Sequence, residues 1–188
     1  MSVGRRFTSA DLERLPEIEG TRYEIIDGEL HMSKQPHWDH QYACCGILAS
    51  LWEWSRQTGA GVPSVAPGLI FAEDEDVAPD VVWISRERLD VGKDDAGHLR
   101  VAPELVVEVL SPGSANERRD REIKLALYSR QDVQEYWIVD WRARRVQVYR
   151  RDGAALRPVE TLGTDDTLTS PLLPGFSCPV SNLWASPA

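Results

Sequence analysis

The sequence predicts an α/β fold of the α+β type, built on a mixed β-sheet with helices packed against it. Asp27-Gly28 separates two short apolar runs, which is the pattern of a β-hairpin. A long stretch with helical spacing follows, and a strand, a helix and a second strand then succeed one another between residues 104 and 140. Such a passage favours a parallel crossover within a mixed sheet.

The first third of the chain contains a short helix, the hairpin and the longest helix. Ser9–Leu15 is predicted to be helical, and the hairpin strands are 23–26 and 29–32. From His40 to Arg56 apolar residues recur at helical spacing, and Gly59 is expected to end that helix.

Three short runs in the middle of the chain are predicted to be strands: 69–72, 81–84 and 104–110. The last, ELVVEVL, is rich in β-branched residues and apolar on both faces, which is typical of a central, covered strand. After Pro112-Gly113, the pattern Ser114-x-x-Glu117 predicts a capping box on a helix that reaches about Arg130.

The last part of the chain predicts strands again. EYWIVD at 135–140 and the run 145–149 are apolar and β-branched, and Asp152-Gly153 indicates a turn after them. Beyond Ala155 one or two short edge strands are expected, because prolines limit regular pairing there.

Composition places the chain among soluble globular proteins. It has 188 residues, with 30 acidic and 21 basic side chains and a net charge of −9, which fits a single domain over 1–188 and disfavours avid nonspecific DNA binding. No apolar run approaches the roughly 18 residues that span a bilayer, and the N-terminus lacks the apolar segment of a secretory signal. We therefore expect a cytoplasmic protein without membrane contact. Its three cysteines lack zinc-ligand spacing and are expected to be small buried residues.

Glu108 is the most informative polar residue, because it lies within the most apolar strand. Burying a carboxylate is costly unless it is paired with a charge or bound to a cation. A metal site explains its position, and a Glu that reaches water or pairs with an arginine explains it equally well.

Three further residues are candidates for the same site. Asp80 follows Pro79 at the start of a strand, Lys124 lies in the middle of the helix after Glu108, and Glu24 is the charged residue in YEII. Each also has an ordinary interpretation: a turn residue, an intrahelical pair with Asp120, and an alternating polar position, respectively.

The ordered motifs of the chain resemble one bacterial family: YEIIDGEL (23–30), PDVV (79–82), PELVVEVLSP (103–112), DxxxKxxxY (120–128), EYWIVD (135–140) and SPLLPG (170–175). This is the Uma-type restriction endonuclease family, a branch of the PD-(D/E)XK nuclease superfamily. The resemblance implies a restriction-endonuclease-like core, a mixed β-sheet flanked by helices, preceded here by the N-terminal hairpin and long helix.

Carried over by position, Asp80 resembles the Asp of the Pro-Asp motif, Glu108 the acid of the (D/E)XK motif, and Glu24 the acid from the N-terminal region. The superfamily lysine two residues after the acid is replaced by Leu110, and Lys124 on the next helix matches instead. The resemblance thus implies a catalytic set of Asp80, Glu108, Lys124 and Glu24.

The chemistry implied is phosphodiester hydrolysis in DNA with Mg²⁺ or Mn²⁺ held by Asp80 and Glu108. Hard divalent ions prefer oxygen ligands and activate bound water. Lys124 would orient that water and offset developing charge. Clustered carboxylates repel one another, so at least one should hold a proton more readily in the metal-free protein.

Candidate nucleic-acid contacts lie near this set: Arg118, Arg119, Arg121, His40 and Tyr128. By analogy with enzymes that cut both strands of a duplex, a homodimer is expected, with the Trp-rich C-terminal part as its interface. Two alternatives remain: a catalytically silent nucleic-acid-binding or protein-interaction module with the same fold, and a hydrolase with a smaller anionic substrate.

Overall fold

The computed structural model describes residues 6–185, so the predicted domain, 1–188, extends beyond the described residues at both ends. The expected fold class is confirmed: two β-sheets and a short two-stranded ribbon are flanked by helices. No helix within residues 6–185 is both long and apolar enough to cross a membrane.

The N-terminal hairpin belongs to a small sheet. After the short helix α1 (Ser9–Leu12), strands β1 (Arg22–Ile26) and β2 (Glu29–Ser33) pair antiparallel through the predicted turn. Asp27 and Gly28 both have positive φ, which a tight two-residue hairpin requires. Strands β4 (Leu69–Ala72) and β5 (Glu75–Val77) complete the four-stranded order β2-β1-β5-β4.

The large sheet has six strands in the order β10-β9-β8-β7-β6-β3. Their bounds are β3 Gly61–Val65, β6 Val81–Ser85, β7 Leu105–Val109, β8 Glu135–Asp140, β9 Arg145–Asp152 and β10 Ala155–Leu162. The β7–β8 pair is parallel and the other neighbours are antiparallel, as the predicted crossover requires. The sequence analysis does not predict β3, because it places no strand between the end of the long helix at Gly59 and the run 69–72.

Both faces of β7 are covered by apolar side chains, as its composition predicts. Helix α2 (Trp38–Thr58) packs on one face, where Leu51 and Ile47 belong to the same buried cluster as Val107. The other face carries Val106 and Leu110, clustered with residues of the helix that follows β7. The buried strand that holds Glu108 therefore lies between two apolar layers.

The helix after β7 is interrupted by a wide turn. It consists of α4 (Ser114–Arg118), a π-helical segment (Arg119–Ile123) and α5 (Lys124–Arg130). The predicted capping box is wrong, because Ser114 is already helical and Gly113, with φ of 111°, is the N-cap without a side-chain bond. Glycine readily adopts this positive φ, so Gly113 can act as the N-cap. The helix therefore begins at Ser114, one residue earlier than the Ser-x-x-Glu pattern indicates.

Four smaller elements complete the fold. Helix α3 (Arg86–Gly92) follows β6, and β11 (Thr167–Leu168) pairs with β12 (Cys178–Pro179). A 3₁₀ turn (Val180–Leu183) then packs on α2. The C-terminal part of the described chain thus completes the core around α2.

Candidate active site

An open cavity of about 230 Å³ lies where the hairpin, the start of α2 and the ends of β6 and β7 meet. Polar and charged side chains dominate its walls. They include all four residues of the predicted catalytic set, Glu24, Asp80, Glu108 and Lys124, together with His40 and Arg119. Five separate segments of the chain converge here, so the site depends on the tertiary fold.

Asp80 and Glu108 lie on the same face of the large sheet. The antiparallel register pairs Val81 with Val107, so the next position places Asp80 opposite Glu108. The backbone N–H of Val109 donates to Oδ2 of Asp80 at 2.8 Å, which ties this side chain to the end of β7. The condition for a shared cation, two neighbouring carboxylates on one face, is therefore met.

Glu108 is almost completely buried, and two donors bind the same oxygen. Nζ of Lys124 lies 2.9 Å from Oε1, and the Tyr128 hydroxyl donates to Oε1 at 2.8 Å. Burial, together with the nearby carboxylates of Asp80, Asp120 and Glu24, raises the pKa of Glu108 to about 8, although Lys124 works in the opposite direction. The carboxyl group therefore holds its proton more readily than an ordinary glutamate when no further cation is present.

Glu24, on β1, is the second buried acid beside the same ammonium. Its Oε1 lies 2.9 Å from Nζ of Lys124 and accepts the N–H of Ala78 at 3.0 Å. Burial acts to raise the pKa of Glu24, but Lys124 and Arg119 outweigh it and leave this pKa below its ordinary value. Glu24 is thus the charged partner of Lys124.

The π-helical turn explains how a helix presents this ammonium. The backbone N–H of Lys124 bonds to the carbonyl of Arg119, five residues earlier, which brings the two residues onto one side. Both are buried and line the cavity, and such wide turns are frequent at functional sites. Despite burial, the carboxylates of Glu108, Glu24 and Asp120 raise the pKa of Lys124, so it stays charged.

His40, on α2, approaches the site from the opposite layer. It is buried, with Nε2 3.3 Å from Oδ2 of Asp80 and Nδ1 3.7 Å from Sγ of Cys44. Burial lowers the pKa of His40, but the bond to Asp80 and its charge raise it above the ordinary value. Possible ligand atoms of His40, Cys44 and Asp80 all lie within 4.8 Å of one another. This imidazole orients Asp80 and offers a nitrogen donor at the cavity.

The residues expected to contact nucleic acid occupy different environments. Arg118 is exposed and pairs with Glu122 at 3.0 Å, whereas Arg119 is buried, 3.0 Å from Asp120 and 4.0 Å from Glu24. Arg121 is half-buried, with its guanidinium beside Asp140 and Gln147. Tyr128 is fully buried beneath the cavity, and its hydroxyl donates a hydrogen bond to Glu108.

Arg22 is a site residue that the sequence analysis missed. Its Nη1 lies 3.7 Å from Oδ1 of Asp80, and it lines the cavity with Glu24. Residues two apart on a strand point to the same face, so the spacing of Arg22 and Glu24 was a usable signal once β1 was assigned.

Comparison with known proteins identifies the family and the fold of this chain. The family model Uma2, described as "Putative restriction endonuclease", matches residues 9–181. A crystal structure of "a putative nuclease belonging to DUF820" from Anabaena variabilis is similar, with a TM-score of 0.72 and 18% identity, over 94% of this chain and 97% of that one. No curated protein matches the sequence. The likeness in structure shows the restriction-endonuclease-like fold, and the match over most of its length shows that this chain belongs to the Uma2 family.

Proposed function

We propose that this protein is a metal-dependent endonuclease that hydrolyses phosphodiester bonds in DNA. The supporting observation is the convergence of Asp80 and Glu108 on one face of the sheet, at a cavity that also contains the Lys124 ammonium. Two acids on adjacent strands with a nearby cationic side chain are what metal-assisted phosphoryl transfer requires.

The donor set fits Mg²⁺ or Mn²⁺. Asp80 and Glu108 offer carboxylate oxygens, which both ions prefer, and the imidazole of His40 is a ligand that Mn²⁺ also accepts. Burial raises the pKa of Glu108 even with the Lys124 ammonium beside it, so additional positive charge next to this acid would be favourable. A divalent cation held by Asp80 and Glu108 would supply that charge.

A bound divalent ion supplies Lewis-acid activation of a phosphate and of a coordinated water. The protein's own residues then divide the remaining work. Lys124 holds Glu108 in place and is positioned to orient the attacking water and offset charge on the phosphate. Arg119, a cation in the cavity wall, suits a phosphate oxygen, and His40 keeps Asp80 aligned.

The test is a cleavage assay with purified protein and double-stranded DNA, single-stranded DNA and RNA, each with Mg²⁺, Mn²⁺ or a chelator. We expect cleavage of DNA that requires the ion and is abolished in Asp80→Asn and in Glu108→Gln. The matched control is Glu135→Gln, which changes a buried glutamate on the neighbouring strand outside the cavity. Wild-type cleavage by the Asp80 and Glu108 variants, or equal cleavage in the chelator, would contradict the proposal.

A catalytically silent module that binds nucleic acid or protein is the alternative, favoured by the net charge of −9 and by leucine at position 110. Calorimetric titration with Mn²⁺ separates the two, because a silent module has no reason to keep a cation site. Binding of Mn²⁺ that Glu108→Gln abolishes supports the endonuclease, and nucleic-acid binding without Mn²⁺ binding or cleavage supports the module.

A further inference from the structure

Helix α2 carries two apolar stripes on different sides. One stripe, which includes Ile47 and Leu51, lies in the core against the large sheet. The other is exposed and is formed by these positions: Trp38, Tyr42, Cys45, Ala49, Trp52 and Arg56. The core uses the first stripe. The second, called here the outer stripe, is left uncovered by residues 6–185.

Successive residues of the outer stripe are alternately four and three positions apart. Contact residues along the interface of a two-helix coiled coil have the same spacing. Trp38, Tyr42 and Trp52 are 75%, 40% and 53% exposed, and no other Trp, Tyr or Phe of residues 6–185 is as open to solvent. Large aromatic side chains are seldom left in water along one helix face unless another surface covers them.

We propose that a second copy of this chain packs against the outer stripe, with the two α2 helices antiparallel about a two-fold axis. The stripe is self-complementary in this register. Its centre falls between Cys45 and Ala49, which are small enough for close approach of the helices. Tyr42 then faces Trp52 of the second copy, and Trp38 faces Arg56.

Charge favours the antiparallel orientation. Asp39 lies at the start of the helix and Arg56 at its end, so antiparallel packing brings each acid to the arginine of the other copy. A parallel pair would place Asp39 beside Asp39 and Arg56 beside Arg56. Antiparallel helix dipoles are favourable as well.

The surface beside the stripe offers room for the incoming ring. Trp52, Glu53, Arg56 and Gln57 surround a shallow depression of about 410 Å³. In the antiparallel register this depression lies opposite Trp38 of the second copy, the most exposed aromatic residue. Trp38 of the second copy would insert between side chains of the facing α2 helix, as large side chains commonly do where two helices pack together.

The exposed aromatic area approaches what a dimer needs. Aromatic side chains cover about 150–250 Å² each, so the exposed parts of these three amount to about 800 Å² over two copies. The helix has 21 residues, about 31 Å in length, and its smaller stripe residues and flanking side chains extend the contact toward the roughly 1,200 Å² of a stable interface.

Other occupants fit this surface less well. Arg56 is its one cation, so it lacks the charge that nucleic-acid phosphates or anionic lipids require. The Trp-rich C-terminal part, the interface expected from the sequence, is unavailable because Trp137 and Trp184 are buried in the core.

Sedimentation velocity across a concentration series, without nucleic acid, tests this inference independently of any catalytic activity. We expect a species of twice the mass of one chain. Trp52→Glu should raise the dissociation constant by about thirtyfold or more, as expected for a central aromatic anchor. The matched control is Val91→Glu on α3, which alters an even more exposed apolar residue elsewhere and should leave the dissociation constant unchanged.

A disulfide tests the register and does not depend on the folding of a Trp52 variant. Cys44 and Cys178 are buried and Cys45 is exposed, so Ala49→Cys places a second accessible thiol opposite Cys45 of the other copy. Mild oxidation should convert this variant into a covalent dimer, whereas Val91→Cys should cross-link far more slowly. Single-chain mass at all concentrations, a dimer that Trp52→Glu leaves intact, or fast cross-linking through Cys45 alone would overturn the antiparallel dimer. If the wild-type protein itself has single-chain mass and Trp52→Glu abolishes its binding of nucleic acid, the face is assigned to nucleic acid and the dimer is also overturned.

Discussion

Nζ of Lys124 lies 2.9 Å from Oε1 of Glu108, across 16 positions of sequence and from a helix to a strand. The same ammonium is 2.9 Å from Oε1 of Glu24 on a third element. At position 110, where the superfamily pattern has its lysine, Leu110 packs in the core with Leu127. The helix therefore supplies the cation, and the strand position is used for packing.

Replacing Lys124 by methionine should destabilise the fold and stop cleavage. Two buried acids would lose their shared cation, and removal of one partner from a buried ion pair costs about 3–5 kcal/mol. Urea denaturation measures the loss, and Lys93→Met, at an exposed lysine, should change stability by less than about 0.5 kcal/mol. Adding Glu24→Gln to Lys124→Met should restore part of the stability, and a double variant no more stable than the single one would contradict the shared ion pair.

Tyr128→Phe should weaken catalysis without weakening nucleic-acid binding. The hydroxyl is fully buried and donates to Glu108 at 2.8 Å, so its loss should cost about 1–2 kcal/mol of stability. Filter binding measures the affinity of the Tyr128→Phe variant for a DNA fragment. The Arg119→Gln variant, altered in the cavity wall, serves as the comparison. Strongly reduced affinity in Tyr128→Phe alone would show that this residue reaches the ligand after all.

Binding of Mn²⁺ should release a proton at neutral pH. The pKa of Glu108 is raised to about 8, chiefly by burial, so its carboxyl is protonated in metal-free protein at pH 7 and must lose that proton to bind a cation. Affinity should therefore rise with pH and level off once the pH exceeds the pKa. Calorimetry in two buffers of different ionisation enthalpy counts the proton, and identical heats in both would exclude this coupling.

Glu135→Gln should alter how stability depends on pH. Burial raises the pKa of Glu135 above its ordinary value, although Ser170, Trp137 and Arg150 act against that shift. A carboxyl group whose pKa is higher in the folded than in the unfolded protein stabilises the fold fully at pH values below its unfolded-state pKa. This stabilisation is lost as the pH rises through the folded-state pKa. Relative to Glu135→Gln, the wild-type protein should therefore lose stability as the pH rises above about 4.5, as measured by thermal unfolding. A pH-independent difference would show that the carboxyl group titrates normally.

The sequence by itself determined the local elements and the residue types of the site. The Asp27-Gly28 turn, the helical spacing of α2 and the apolar strand around Glu108 follow from short-range patterns, because turn chemistry and side-chain periodicity act over a few residues. The family motifs named Asp80, Glu108, Lys124 and Glu24, whose catalytic roles stay predictions until the variants are assayed.

The tertiary structure decided how those residues meet. The register of β6 against β7 placed Asp80 beside Glu108, and the π-helical turn brought Arg119 and Lys124 to one side. Arg22 and His40 reached Asp80 from two other elements. Such long-range contacts depend on how elements pack and on which charges can be buried together, and these energies have no short-range signature in the sequence.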